Sequence, residues 1–140
     1  GVDGETPLAR AIGEEDPEMV EELVMYGADP LFRGHEYDFT VLEYACKQAS
    51  LEVVQALLHC PRAKDCCLTK AGPLILSVLG GNQEVYTELL KIVDPNIRGG
   101  FGKTAMHTAA SQDDVRAILT LLQHNADMNA ADDSGNTPLH

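Results

Sequence analysis

The chain has 140 residues, 44% of them hydrophobic, which suits one packed domain. A formal net charge of −12, from 22 acidic against 10 basic side chains, repels phosphate backbones and makes nucleic acid and anionic membrane poor partners. No run of about eighteen apolar residues occurs, and Gly1-Val2-Asp3-Gly4-Glu5 lacks the charged and apolar regions of a signal peptide, so a soluble protein without membrane insertion is expected.

A four-residue pattern recurs along the chain: Thr6-Pro7-Leu8-Ala9, Thr40-Val41-Leu42-Glu43, Gly72-Pro73-Leu74-Ile75, Thr104-Ala105-Met106-His107 and Thr137-Pro138-Leu139-His140, at spacings of 34, 32, 32 and 33 residues. Each full unit carries a second apolar run at a constant offset, Val20/Leu23/Val24, Val54/Leu57/Leu58, Tyr86/Leu89/Leu90 and Ile118/Leu121/Leu122, and spacings of three and four mark one face of a helix. Each unit therefore reads as turn, helix, loop, helix. Thr6-Pro7 and Asp16-Pro17 open the two helices of the first unit, the polar side chain capping an orphan amide and proline fitting the first helical position. Gly27 and Asn125 suit the left-handed residue that follows a helix end. Leu8, Ala11, Leu23, Leu42, Ala45, Leu57, Leu74, Leu89, Ala109 and Leu121 are the expected core.

Through Gly135-Asn136-Thr137-Pro138-Leu139-His140, Thr104-Ala105-Met106-His107-Thr108-Ala109-Ala110, Gly27-Ala28-Asp29 and Asn125-Ala126-Asp127-Met128-Asn129, the chain resembles the ankyrin repeat family over its whole length. The resemblance implies an all-α solenoid of stacked antiparallel helix pairs with projecting hairpin loops, or fingers. Its repeats span about 1–34, 35–67, 68–99 and 100–132, with a partial fifth at 133–140, as in a fragment of a longer protein. Unit two has Pro61-Arg62-Ala63 where the family usually has Gly-Ala-Asp, and unit three shortens the same place to Val93-Asp94-Pro95-Asn96. Unit three also opens on Gly72, without a capping hydroxyl, so its first helix is expected to fray or start differently.

A helix pair buries too little by itself and gains stability from its neighbours, which makes the stack a long, rigid surface suited to protein or peptide partners. In the family, the fingers and the exposed side of the first helices commonly form the contact surface. That points to Arg10, Tyr44, Leu76 and Thr108, followed on the same rim by Lys47, Gln48, Leu79, Ser111 and Gln112. Phe32, Phe39 and Phe101 all fall in expected fingers. The first finger unites Phe32, Arg33, Tyr37 and Phe39, a composition enriched at interface hot spots, although Phe32 and Phe39 could equally pack the finger onto the next repeat. The partner-binding set is therefore Phe32, Arg33, Tyr37, Phe39, Tyr44, Lys47, Leu76, Phe101 and Thr108. Residues 1–30 hold nine acids against Arg10 alone, which reads either as a solvated face or as an acidic end, with Glu5, Glu14, Glu15 and Asp16, that attracts a basic segment.

No catalytic residue, cofactor or metal is expected, and the chain is read as a non-enzyme scaffold. The alternative is the regulatory or targeting part of a larger enzyme or channel. His59-Cys60 with Cys66-Cys67 has the wrong spacing for the familiar zinc knuckles. Gly99-Gly100-Phe101-Gly102-Lys103-Thr104 ends like a phosphate-binding loop, but the required first glycine falls at Ile97. His107 and His140 sit one repeat apart at the same repeat position and are expected to bond Thr104 and Thr137, a structural task. Four cysteines without a framework spacing suggest reduced thiols in the cytoplasm or nucleus. Leu121 followed by Asp127-Met128-Asn129 resembles the asparagine-hydroxylation pattern of many ankyrin repeats, with a purely structural Asn129 as the competing reading.

Overall fold

The computed structural model describes residues 7–31 and 40–138. Among the described residues the elements are helical: α1 (Pro7–Gly13), α2 (Pro17–Met25), α3 (Val41–Gln48), α4 (Leu51–Leu58), α5 (Pro61–Thr69), α6 (Gly72–Leu79), α7 (Gln83–Leu89), α8 (Ala105–Ser111) and α9 (Val115–Gln123). The helices are too short to persist alone and draw their stability from packing. The first helices α1, α3, α6 and α8 contact one another in succession, while α2, α4 and α7 form a second layer and α9 packs on α8.

Local chemistry sets the helix starts. The Asp16 carboxylate accepts from the Met19 N–H at 3.2 Å, and Asp114 does the same for Ala117 N–H at 3.1 Å. At α3 the box is reciprocal: Thr40 Oγ1 accepts from Glu43 N–H at 3.1 Å and Glu43 Oε1 accepts from Thr40 N–H at 2.9 Å. Gly27 and Asn125 both take positive φ after their helices, as their positions demand.

The layers enclose one continuous core running from Leu8 and Ile12 through Leu42, Leu57, Leu74 and Leu89 to Met106 and Leu121. Every residue expected in that core is buried except Leu23, which is half-buried.

The larger correction concerns unit two. Where the second finger was expected, residues Pro61–Thr69 form α5, which packs against α4 and α6. The cause is local: Pro61 fits the first turn, the stretch Arg62-Ala63-Lys64-Asp65-Cys66-Cys67-Leu68 has no glycine to break it, and Ala63 and Cys67, four apart, are both buried. Unit three, by contrast, starts its first helix in register despite lacking threonine. Ala71 precedes Gly72 without a side-chain cap, and Pro73 lies in the first turn. A Cβ on Gly72 would run into the Glu43 carboxylate of the α3 capping box, a physical reason for glycine there.

Candidate functional site

Tyr44 and Lys47 on α3, Leu76 on α6 and Thr108 on α8 are half-exposed. Because α3, α6 and α8 are successive neighbours, Tyr44, Leu76 and Thr108 share one repeat position and fall along one row on the first-helix layer, with Lys47 one turn further along α3. Gln48, Leu79, Ser111 and Gln112 extend the rim into solvent, and Arg10 at the other end pairs with Glu14 at 3.1 Å.

Phe101 stands out among the described residues. It forms the tip of a hairpin in which Gly99 N–H donates to Lys103 O at 2.8 Å and Gly102 N–H donates to Gly99 O at 3.0 Å. Its φ is +59°, a conformation unfavourable for a bulky side chain, and its ring is 79% exposed. The tip is braced from the next hairpin. Asp133 N–H donates to Phe101 O at 2.9 Å, and the Arg98 guanidinium donates to Gly102 O at 3.1 Å and to Ala131 O. Gly102, at φ +73°, is buried against Asp133, and a Cβ there would strike that carboxylate. Two hairpins thus hold an aromatic ring outward in a strained backbone, an arrangement that clusters at binding sites. The glycine-rich stretch Gly99–Gly102, which superficially suggests a phosphate loop, serves this turn.

The base of the next hairpin is also built. Nδ1 of the buried His107 accepts from Thr104 N–H at 3.1 Å and lies 3.0 Å from Thr104 Oγ1. Nε2 then carries the proton and donates to Asn136 O at 2.9 Å, which makes His107 a strut between hairpins. Asp132 accepts from the N–H groups of Asn136 and Ser134, each at 2.9 Å. Those backbone donors, with Asn136 the larger influence, hold its carboxyl below the ordinary value of 3.8.

Phe32, Arg33, Tyr37 and Phe39, with Glu5 and His140, lie outside the described residues. Asp29, which precedes the expected first finger, accepts from Leu31 N–H at 2.9 Å and faces Arg62 of α5 at 3.5 Å. Met25 and Tyr26, immediately before Gly27, are largely exposed and belong to none of the expected contact residues. The available signal was that both fall off the Val20/Leu23/Val24 face.

Asn129 is exposed, its N–H donating to Asp127 Oδ1 at 2.8 Å. The preceding unit shows what an asparagine here does when a further repeat follows: Asn96 Oδ1 accepts from Asp127 N–H at 2.6 Å and its Nδ2 donates to Asn125 O at 3.3 Å. The cysteines separate by environment. Cys46 and Cys67 are buried and their thiols meet, and the hydrogen bond between them, then burial, raises the Cys46 pKa well above its ordinary value. Cys66 is half-buried, and burial pushes its thiol up. The His59 ring is engaged instead with Glu21, at 3.0 Å from Nδ1. Among the described residues no group of three or more His, Cys, Asp or Glu side chains could hold a metal ion, and no helix is long and apolar enough to cross a membrane.

The family described as ankyrin repeats (three copies) matches residues 1–70 and again 74–140, nearly the entire chain. The chain belongs to the ankyrin repeat family. It is similar to the B-cell lymphoma 3 protein homolog of Mus musculus, 31% identical over 136 residues, covering 96% of this chain and 24% of that protein. It is also similar to the E3 ubiquitin-protein ligase KEG of Arabidopsis thaliana, 31% identical over 106 residues, covering 72% of this chain and 6% of the ligase. With the potassium channel AKT2/3 of the same plant it shares 39% identity over 70 residues, covering 49% of this chain and 9% of the channel. The chain thus spans a quarter or less of the length of these relatives. Ankyrin repeats are protein-interaction modules, and the relatives carry them as parts of much larger proteins.

Proposed function

We propose that this chain binds a segment of a partner protein across its fingers and the exposed side of its first helices, and that it performs no catalysis itself. The observation that carries the reading is Phe101, a ring 79% exposed on a braced hairpin tip. Apolar area of that size on a fixed loop is the form of an interface anchor. Tyr44, Lys47, Leu76 and Thr108 supply the adjoining row, and the first-finger residues Phe32, Arg33, Tyr37 and Phe39 extend the same proposal. The acidic chain charge of −12 supports a protein partner over nucleic acid. Four free cysteines fit the reducing cytoplasm or nucleus. Exposure of Asn129 supports its hydroxylation as a further modification, tested by intact mass after incubation with an asparagine hydroxylase.

The test is comparative affinity capture with wild type and Phe101→Ala, followed by affinity measurement on each partner retained by wild type. An anchor costs more than about 1–2 kcal/mol of binding on truncation, with the melting temperature nearly unchanged. Equal affinity of the two folded proteins for every partner removes Phe101 from the site. A second reading, in which the array is the regulatory or targeting part of a larger enzyme or channel, is favoured by the coverage of the ligase and channel relatives, 6% and 9%. The full-length sequence decides it.

A further inference from the structure

The seams between successive first helices differ. In the last seam the Gln112 side chain reaches across and donates from Nε2 to Leu79 O at 2.8 Å. In the middle seam the same repeat position is Gly80, packed so closely on the Lys47 carbonyl that a Cβ would overlap it. In the first seam the position is Gln48, whose amide is exposed and finds no hydrogen-bond partner among the described residues. The residue facing it, in the place of Lys47 and Leu79, is Gly13, and a Cβ there would meet nothing within 4 Å. A cleft of about 160 Å³ opens as a result, lined by Ile12, Gly13, Glu15, Tyr44, Gln48 and Ala49.

The lining has a definite chemistry. Glu15 supplies the cleft's carboxylate. Its Oε2 accepts from Ser50 N–H at 3.0 Å, which ties the side chain across the seam, and among the described residues Oε1 has no hydrogen-bond partner. Glu14 is occupied with Arg10 at 3.1 Å. The Gln48 amide adds a second acceptor, and Tyr44 and Ile12 add wall. A cleft with one anchored carboxylate, a neutral acceptor and an aromatic side chain, in a region carrying excess acid, complements a cation with separated donors.

We infer that the cleft between α1 and α3 receives an arginine side chain of the bound partner, its guanidinium on Glu15 and Gln48 and its stem along Tyr44. The inference deepens the proposed protein-binding role and rests on it, by giving the partner segment one required residue type. Arginine is favoured over lysine because a planar fork reaches two acceptors where an ammonium is a point charge.

The experiment is an amide NMR titration of the intact chain with N-acetyl-arginine amide, with N-acetyl-lysine amide and the neutral isostere N-acetyl-citrulline amide as comparisons. The expected result is saturable shifts at Ile12–Glu15 and Tyr44–Ser50, weaker by several-fold with lysine and absent with citrulline. Glu15→Gln keeps an acceptor for Ser50 N–H and should weaken binding at least 10-fold, roughly the effect of losing one charge-assisted bond. Gly13→Leu fills the cleft with the side chain the chain itself places at Leu79, and should abolish binding in a folded protein. The inference is overturned by equal response to citrulline, by shifts spread over Glu18, Glu21 and Glu22 that survive Glu15→Gln, or by no saturable shifts. It is equally overturned if Gly13→Leu binds as wild type does. Partner capture that depends on Phe101 is unaffected by any of these outcomes, so failure of the cleft and failure of the binding role are separable.

Discussion

Replacing Leu89 by alanine tests whether one continuous core holds the repeats together. Leu89 is fully buried on α7, and its carbonyl accepts from Val93 N–H at 2.7 Å, so the helix end is tied down beside it. Three carbons leave the core, worth about 2.4 kcal/mol at about 0.8 kcal/mol per buried methylene. The cavity adds to this because neighbours anchored in helices collapse only partly, giving about 2–5 kcal/mol in all. At roughly 3 °C per kcal/mol for a chain of this size, the melting temperature should fall by about 6–15 °C. Leu119 on α9 is the control, being 54% exposed, and Leu119→Ala should change stability by less than about 0.5 kcal/mol. Urea titrations followed by circular dichroism and by tyrosine fluorescence measure both variants and show whether the stack melts as one unit. Leu89→Ala within about 0.5 kcal/mol of wild type would refute the packing argument.

Three other outcomes follow from the same geometry. Gly80→Ala, just after α6, restricts the unfolded chain but drives a Cβ into the Lys47 carbonyl, and should destabilise by about 1–3 kcal/mol, whereas Gly13→Ala, with open space around it, should stabilise by about 0.5–1 kcal/mol; thermal melts of both decide. Thiol labelling of native protein near neutral pH should modify half-buried Cys60 and Cys66 while sparing buried Cys46 and Cys67 until denaturant is added, with mass spectrometry reporting the sites. Asp132 has a folded pKa below its ordinary 3.8, so its contribution to the last hairpin is complete above that value and is lost as pH falls through the lower folded one. Protection of the Ser134 and Asn136 amides, taken relative to their intrinsic exchange rates at each pH, should therefore fall in that acid window, and Asp132→Asn should remove this change in protection.

Periodicity made the helix pairs and nearly all of the core legible from the residues, because apolar spacings of three and four and the caps Asp16, Thr40 and Asp114 act within a few residues of chain. The Thr104–His107 contact was legible for the same reason. The helix at Pro61–Thr69 runs against the repeat phase, which calls for a finger there, although its signals, the proline, the helix formers and the Ala63–Cys67 spacing, are local. Leu23 looks like Leu57 and Leu121 in sequence, yet it is half-buried where they are buried, a difference no local pattern encodes. Tertiary structure alone decided what happens between repeats. Whether Gln48 crosses its seam as Gln112 does, whether Phe101 is braced outward by Asp133 and Arg98, and whether Cys46 meets Cys67 all depend on residues some 20 to 36 positions apart. A side chain's period can be read from its own helix, but its partner across a seam is chosen by how the helices settle against one another, a balance of overlap and burial summed over the whole stack.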